Sequence, residues 1–355
     1  LCFVFDENVK SFFDKKNSFV LSNWKFWFNN KIESKEKILI KKLSKEISNE
    51  FSLLMIKKLN LKLTELSKYH LNRTINVYIR EISEMMEKIK LYANYIPEKL
   101  VIGSCGVFPY RILKWISNKQ KKNVYAFDHG VGNGFSKHKL MSMIEFDSDL
   151  NFICKSKIHR KNLDKEVLDF KSDVNLFVTN TNNKKFYIRK TKVYKKILFI
   201  QTIYKNFNYS FDINNEFYQL YFQHHFFKLL KKNGLEITLK PHPGCNLNLN
   251  NKYFPNLSKE YRKFENIYND FDIIIIDYAN TSCLTHSLKS NKPILLVDHG
   301  NIKLYENIKS KLQQRVEFLR FKKDKFLLPE LNREEVLKSI SRSIVKASNY
   351  KEFSF

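Results

Sequence analysis

Short apolar runs recur along the chain from Leu100 onward, separated by longer stretches that mix apolar and charged residues. Runs of four or five apolar residues closed by a polar turn are typical of strands buried on both faces of a parallel sheet, and the intervening stretches are long enough for helices. The repeated order predicts an α/β protein with parallel strands. The predicted strands are Leu100–Ser104, Val124–Phe127, Leu150–Cys154, Asn175–Val178, Ile197–Ile200, Glu236–Lys240, Ile273–Ile276, Ile294–Val297 and Phe318–Phe321.

Helical periodicity marks the longer stretches. We expect Gly234 to end the aromatic helix before it, because glycine tolerates the left-handed turn that closes many helices. Asn332 is a candidate N-cap, with Glu335 in the capping-box position. The predicted helices are Lys35–Lys68, Thr74–Tyr95, Glu216–Lys232, Ser258–Asn269 and Asn332–Ser348.

The strand and helix patterns lie on both sides of Lys184–Lys196, which holds seven basic residues and no acidic residue. Its default interpretation is a linker. The length of 355 residues also exceeds the ~250–300 at which a single core usually stops growing. We therefore predict two domains, residues 1–190 and residues 191–355.

The first thirty residues are dominated by aromatic side chains, at Phe3, Phe5, Phe12, Phe13, Phe19, Trp24, Phe26, Trp27 and Phe28. They either pack in a core or form a surface for a lipid-linked acceptor, and their spacing favours a core. No apolar run approaches the ~20 residues of a membrane helix, and the start shows no signal-peptide pattern. These features favour a cytoplasmic protein.

The five cysteines are scattered and form no C-x-x-C pair. An odd, dispersed set fits a reducing cytoplasm better than a disulfide framework or a zinc site. Cys283 lies within a polar turn, where a small buried residue is its expected role.

The net charge is +27, which raises the alternative of nucleic-acid binding. The basic residues are spread along the chain, and no helix-turn-helix, RRM or zinc-finger pattern accompanies them. Solvated lysines on surface helices explain most of the charge. The remainder suits a cleft for a nucleotide diphosphate and an anionic acceptor, or a face held on an anionic membrane. We expect no nucleic-acid partner.

Polar residues follow two predicted strands of the second half. Ile237–Lys240 runs into Pro241-His242-Pro243, and Ile273–Ile276 runs through Asp277 into Asn280, Thr281 and Ser282. Carboxyl ends of parallel strands share one edge of a sheet, where ligands of open α/β sheets bind. Hydroxyls and free N–H groups at the start of a helix favour an anion such as phosphate.

In the first half, Val124–Phe127 runs into Asp128 and His129 and then into a turn with Gly130, Gly132 and Gly134. The preceding strand is LVIGSC at Leu100–Cys105. Glycines at these positions allow the backbone to approach a ligand closely.

The order and spacing of these motifs, over roughly residues 97–340, resemble the GT-B glycosyltransferases and related polymerases of bacterial surface carbohydrate. The relatives are the capsule polysaccharide and Kdo transferases, the HP-motif sialyl- and polysialyltransferases, and the CDP-glycerol and CDP-ribitol phosphotransferases of teichoic acid. Asp128 departs from the family pattern, in which many members have Gln. The resemblance implies two Rossmann-like domains that face a central cleft.

The resemblance also implies a donor site in the second domain. His242 would bind the donor phosphate, Lys240 would assist, and the flanking prolines would fix the loop. Thr281 and Ser282, with Asn280 beside them, would bind phosphate through hydroxyl and N–H groups. Simple helix capping by Thr281 and Ser282, and a histidine capping its own turn, are the alternatives. Asp277 is expected to order the turn rather than touch substrate.

On the acceptor side, an acceptor hydroxyl must lose a proton, so a base is needed near the cleft. The resemblance leaves two candidates, because Asp128-His129-Gly130 lies between two family patterns. We favour His129 as the base with Asp128 orienting it. Asp128 as the base and a purely structural turn are the alternatives.

The sequence thus predicts a cytoplasmic GT-B glycosyltransferase of capsule or similar surface glycan, in contact with the inner membrane face. The donor is a nucleotide-activated sugar, with a CMP-sugar favoured, and the acceptor is a glycan or lipid-linked. We expect no cofactor and no metal, since Asp147–Asp149 (DSD) lies outside the donor half. The alternatives are a CDP-polyol phosphotransferase, a sugar-nucleotide epimerase and a nucleic-acid-binding protein.

Overall fold

The computed structural model describes most of the chain from residue 34 to residue 350, and it forms two compact units. The described residues are 34–90, 94, 96–103, 108–127, 134–137, 146, 150–170, 174–178, 194–202, 216–242, 251–279, 281–300 and 302–350. The linker predicted at Lys184–Lys196 lies mostly outside them, so the domain division after residue 190 stays a prediction.

The first unit begins with two helices, α1 (Ser34–Lys58) and α2 (Glu65–Lys90), which pack against each other. The helices predicted at Lys35–Lys68 and Thr74–Tyr95 exist, but the break between them was placed too late. Asn60 adopts a left-handed φ of 50°, which ends the first helix. The Thr64 hydroxyl accepts a hydrogen bond from the Ser67 N–H at 3.2 Å and caps the second.

A four-stranded sheet has the order β1-β2-β3-β4, and β2 pairs in parallel with both β1 and β3. The strands were all predicted from their apolar runs. Helix α3 follows β1, and helix α4 follows β3. The elements are β1 (Lys99–Ile102), α3 (Phe108–Lys119), β2 (Asn123–Phe127), β3 (Leu150–Cys154), α4 (Lys157–Phe170) and β4 (Val174–Val178).

The second unit is built on a six-stranded sheet whose named pairs are all parallel. Its order is β10-β9-β8-β5-β6-β7. From β5 the chain adds β6 and β7 on one side of β5. It then crosses to the other side of β5 and adds β8, β9 and β10. The strands are β5 (Lys196–Ile200), β6 (Glu236–Lys240), β7 (Ser258–Lys259), β8 (Ile273–Ile276), β9 (Ile294–Asp298) and β10 (Glu317–Arg320).

Alternate residues of the central strands face two separate apolar cores. Ile274 and Ile276 belong to one core, and Ile273 and Ile275 belong to the other. All four side chains are fully buried, as expected for a strand with helices on both faces of its sheet. The helices of this unit are α5 (Glu216–Lys232), α6 (Ser282–Leu288), α7 (Glu306–Gln313) and α8 (Arg333–Lys346).

Helix ends follow the sequence signals in most cases. Gly234 has a φ of 74° after α5, and Asn332 accepts the Glu335 N–H at 3.0 Å at the start of α8. The reciprocal half of the capping box is replaced, because the Glu335 carboxylate bonds to Arg342 at 2.5 Å. A short antiparallel pair, β11 (Lys322–Lys323) and β12 (Pro329–Glu330), precedes α8.

The helix predicted over Ser258–Asn269 is wrong. The segment forms the edge strand β7 and the short 3₁₀ helices Phe264–Asn266 and Tyr268–Asp270. Phe264 and Ile267 are buried in the core, so the spacing that suggested a helix comes from two side chains anchoring an irregular connection. No helix among the described residues is long and apolar enough to cross a membrane.

The second unit also contains Gly134–Lys137 and the whole of α4. Ser136 forms an antiparallel bridge with Leu304, and the Tyr305 N–H donates to the Phe135 carbonyl at 2.9 Å. The Phe135 ring is buried in the core of the second unit. This segment, which follows the predicted glycine turn, is therefore fixed to the loop between β9 and α7.

Candidate active site at the carboxyl edge of the second sheet

The second sheet has one topological switch point, between β5 and β8. Chain connections leave these neighbouring strands in opposite directions, which opens a crevice beyond their carboxyl ends. Gln201 and Thr202 follow β5, and Asp277 follows β8. All three side chains are buried. Polar side chains buried at this edge require partners, and the structure supplies them to Gln201 and Asp277 from α5 and from the residue that follows β9.

Asp277 is the centre of a buried hydrogen-bond network at the switch point. An ionised carboxylate can only accept, so its partners must donate. The Gln223 side-chain amide donates to Asp277 Oδ2 at 2.8 Å. The oxygen of that same amide accepts from the Gln201 side chain at 3.0 Å. These bonds fix the orientation of both amides, because a reversed Gln223 amide would place its oxygen against the Asp277 carboxylate, which can only accept.

The other arm of the network runs through His299. His299 Nε2 lies 2.8 Å from Asp277 Oδ1, so this nitrogen carries the proton and donates. His299 Nδ1 lies 3.3 Å from the Tyr218 hydroxyl. Burial, with a smaller effect from Asp277, raises the pKa of Tyr218 to about 12, so the hydroxyl keeps its proton and can donate. We call Gln201, Tyr218, Gln223, Asp277 and His299 the switch-point network.

Aromatic packing holds His299 in this position. The Phe222 ring meets the imidazole edge-on at a centroid distance of 4.8 Å, and the Tyr218 ring does so at 5.5 Å. His299 is only 5% exposed. The imidazole therefore has little freedom to rotate and little contact with solvent. Its hydrogen bond holds the Asp277 carboxylate in place.

A pocket of about 200 Å³ opens beside this network, with Asp277 and His299 in its wall. Four basic side chains line it, at Lys137, Lys303, Lys309 and Arg320, together with the acids Asp298 and Glu306. Arg320 is paired with Asp298 at 2.5 Å. The four basic side chains exceed the three acids Asp277, Asp298 and Glu306 by one charge, which favours an anionic ligand at this edge of the sheet.

The predicted donor residues of the HP motif lie at the end of β6, in the same sheet. Pro241 is buried and His242 is exposed, so the imidazole can meet a ligand from solvent. The Lys240 ammonium instead donates to the Arg262 carbonyl at 2.5 Å. Burial lowers the pKa of this lysine, while the nearby thiol and carboxylates oppose the shift.

The predicted phosphate turn begins α6. Thr281 is its N-cap, and its hydroxyl accepts the Cys283 N–H at 3.3 Å. Thr281 therefore caps α6, as one of the two interpretations predicted, and phosphate binding by Thr281 stays a prediction. Ser282 is exposed. Burial raises the pKa of the Cys283 thiol to about 11, which outweighs the lowering usual at a helix start, so the thiol is neutral.

The remaining candidates fall outside the described residues, with one exception. Asp128, His129, Gly130, Gly132 and Asn280 lie outside them, and their predicted roles stay predictions.

Gly134 is the exception, with a φ of 69°. A Cβ at this position would lie 2.6 Å from His159 Cδ2 and 2.8 Å from Leu163 Cγ. The close approach at Gly134 is thus to α4.

Sequence reasoning missed Gln201, Gln223 and His299. Their partners are up to 81 positions away in the chain, so no local pattern encodes the contacts. One signal was available for His299: the tripeptide Asp-His-Gly occurs twice, at Asp128–Gly130 and at Asp298–Gly300, each time directly after an apolar run. The triplet therefore follows a predicted strand in both places.

Comparison with known proteins finds similar solved structures. No protein-family model and no curated protein matches the sequence. A Listeria monocytogenes protein assigned as a UDP-N-acetylglucosamine 2-epimerase is 13% identical, with a TM-score of 0.50 over 79% of this chain and 75% of that chain. The Methanocaldococcus jannaschii UDP-GlcNAc 2-epimerase, solved with UDP-GlcNAc and UDP, is 11% identical, with a TM-score of 0.47 over 75% and 74%.

The glycosyltransferase SnogD from Streptomyces nogalater is 10% identical, with a TM-score of 0.38 over 92% of this chain and 81% of that chain. At such identities a likeness concerns the fold. The two units with parallel sheets and the likeness to the Listeria protein establish the GT-B fold predicted from the sequence.

Proposed function

We propose that this protein is a GT-B glycosyltransferase that takes a sugar from a nucleotide-activated donor. The observation that carries the proposal is the switch point of the second sheet. Its carboxyl edge holds a buried Asp277–His299 pair beside a pocket with more basic than acidic side chains. In open α/β sheets this is the place where ligands bind, and the charge suits the phosphates of a nucleotide.

The donor side would work through the ends of two strands. His242 follows β6 and is exposed, and Thr281 and Ser282 begin the helix after β8. Phosphate charge must be stabilised as the bond to the anomeric carbon breaks, and positioned N–H, hydroxyl and imidazole groups do this without reorganising. In this proposal the donor needs no metal and the enzyme needs no cofactor.

The acceptor side would use the Asp-His-Gly turn. His129 is proposed as the base that removes a proton from the acceptor hydroxyl, with Asp128 orienting it; Asp128 as the base is the alternative. We propose a surface glycan, capsule or lipid-linked glycan as acceptor and a CMP-sugar as donor, following the motif resemblance. Contact with the inner face of the cytoplasmic membrane belongs to the same proposal and follows from the net charge of +27.

The test is a thermal-shift screen with CMP, CDP, UDP and GDP. A ligand that binds only the folded state raises the Tm, so at least one nucleotide should do so. His242→Ala should weaken binding of that nucleotide by roughly 10- to 100-fold, the effect of losing one hydrogen bond to a charged group. Ser282→Ala should cost less, because backbone N–H groups remain.

His224→Ala is a matched control, because His224 is an exposed histidine on α5 in the same unit. Its nucleotide affinity should equal that of the unmodified protein. No stabilisation by any of the four nucleotides would overturn the proposed function. Equal affinity in folded His242→Ala would remove His242 from the site while leaving the function standing.

An epimerase is the second candidate, favoured by the fold shared with the Listeria protein. The two activities are separated by incubation with UDP-N-acetylglucosamine and no acceptor. An epimerase interconverts the sugar configuration at C2, which proton NMR detects directly. A transferase leaves the configuration intact and, at most, releases the sugar by slow hydrolysis.

A further inference from the structure

Gln219 is a buried polar residue whose side-chain oxygen has no hydrogen-bond partner among the described residues. It is 1% exposed, and its Oε1 accepts no hydrogen bond from any residue that the structure describes. Buried side-chain oxygens almost always have a partner, and one without a partner destabilises the protein. Such an atom persists where a ligand or ordered water supplies the missing donor.

The position of Gln219 points to the switch point. Helix α5 follows β5 and leads to β6, which is parallel to it, so the start of α5 lies at the carboxyl edge of the sheet. The contact of Tyr218 with His299 at the end of β9 confirms this direction. Gln219 and Gln223 are four residues apart and share one helix face. Gln219 therefore lies about 6 Å further along the helix axis towards the carboxyl edge than Gln223, at 1.5 Å per residue.

The two glutamines differ in how they are used. Both ends of the Gln223 amide are occupied, by Asp277 and by Gln201. Gln219 has the same side chain on the same face, closer to the opening of the crevice, and its acceptor is unused. A carboxamide oxygen that is buried, held on a helix and unpaired is suited to accept from an uncharged N–H or O–H group of a ligand.

We propose that Gln219 binds the nucleoside part of the donor, with Oε1 accepting a hydrogen bond from an N–H group of the base or an O–H group of the ribose. The proposal rests on the proposed function and deepens it. It makes Gln219 a specificity-determining residue, because a site that offers an unpaired acceptor rejects ligands that bring no donor to it.

The experiment compares Gln219→Leu with Gln223→Leu and with Gln313→Leu, an exposed glutamine on α7. Leucine is close to glutamine in volume and has no polar atom. Gln219→Leu should keep or raise the Tm of the ligand-free protein, because a buried unpaired oxygen is removed. Gln223→Leu should lower the Tm, because Asp277 and Gln201 lose their partner. Gln313→Leu should change neither the Tm nor the affinity.

Calorimetric titration then uses the nucleotide that stabilises the protein most among CMP, CDP, UDP and GDP. Gln219→Leu should weaken its binding about 3- to 10-fold, as expected for one hydrogen bond between uncharged groups. The 2′-deoxy form of that nucleotide identifies the donor group. If the loss disappears with the deoxy form, the ribose 2′-hydroxyl is the partner; if it persists, the base or the 3′-hydroxyl is.

Two results would overturn the inference alone. Unchanged nucleotide affinity in Gln219→Leu would show that Gln219 does not meet the ligand. A fall in the ligand-free Tm as large as that of Gln223→Leu would show that a protein group already pairs with Gln219. If no nucleotide binds the unmodified protein, the proposed function and this inference fail together, and that outcome is distinct from the other two.

Discussion

Asp277 is a fully buried carboxylate whose partners among the described residues are the Gln223 amide and the His299 imidazole rather than a lysine or arginine. Removing a carboxylate from water is costly unless hydrogen bonds replace its hydration. Gln223 and His299 supply one bond to each oxygen. Both arms of the switch-point network donate towards Asp277, so the network fixes the position of this carboxylate.

Substitution of Asp277 tests this arrangement. Asp277→Leu leaves the Gln223 amide and the His299 N–H buried without an acceptor, so the free energy of unfolding should fall by about 2 kcal/mol or more. Asp277→Asn should cost less, because it keeps one acceptor oxygen. Urea denaturation measures both.

The control is Asp164→Asn, which alters an ion pair to Arg160 in which both side chains are 52% exposed. Its effect should stay within about 0.5 kcal/mol, as for most exposed pairs. An Asp277→Leu protein as stable as the unmodified one would contradict the structural role assigned to Asp277.

At this scale the sequence identifies positions but not partners. Asp277, Thr281 and His242 were found because each stands directly after an apolar run, and strand ends can be read locally. The bonds of Gln223 to Asp277 and Gln201 depend on which strands are neighbours, which periodicity does not encode. His242 is exposed, Thr281 caps α6, and their ligand contacts stay predictions.

Among the elements, the segment Gly134–Lys137 shows how one backbone position supports a contact. Gly134 has a left-handed φ, and its carbonyl accepts the Asn162 side chain at 2.8 Å. Asn162 and Asn307 also bond to each other, at 2.9 Å. Helices α4 and α7 are thereby tied to each other, and α4 is tied to the segment that follows the predicted catalytic turn.

Gly134→Ala should destabilise this junction for two reasons. Alanine disfavours a φ of 69°, and its Cβ would lie 2.6 Å from His159 Cδ2. Gly234→Ala is the matched control, because Gly234 has a φ of 74° but no atom within 4 Å of the added Cβ. Overpacking typically costs about 1–3 kcal/mol, so Gly134→Ala should exceed Gly234→Ala by at least about 1 kcal/mol in urea denaturation. Equal losses of unfolding free energy in the two variants would mean that α4 shifts to accommodate the added Cβ without destabilising the protein.

Element prediction succeeded where one residue type or one period dominated. The strands are runs of isoleucine, leucine and phenylalanine, and Gly234 and Asn332 are strong end signals. It failed where weaker signals competed. Asn60 and Thr64 divide α1 from α2 without glycine or proline, and the apolar spacing of residues 258–269 fits a helix although tertiary packing selects an irregular path.

At the scale of the whole molecule, the chain consists of two units with separate cores. Two Rossmann-like units were predictable, since repeated strand–helix order is local information. The strand order of the second sheet was not, because it is fixed by which faces pack together. That order places the switch point within the second unit.

Hydrogen exchange with the stabilising nucleotide present should therefore be slowed locally. Peptides covering 194–202, 216–223, 273–279 and 294–300 surround the switch point and should exchange more slowly, whereas peptides from α1 and α2 should not change. The reason is that a ligand protects the region whose opening would break its contacts.

The net charge of +27 supplies the competing explanation and the control. If general electrostatic attraction held the nucleotide, protection would be spread over the basic helices and would vanish when the salt concentration is raised from about 0.15 M to about 1 M, where the Debye length falls to roughly 3 Å. A built site keeps most of its protection at high salt, because contacts within the crevice are screened far less than exposed charges. Protection of α1 and α2 equal to that of the switch point would favour the general basic surface over the site.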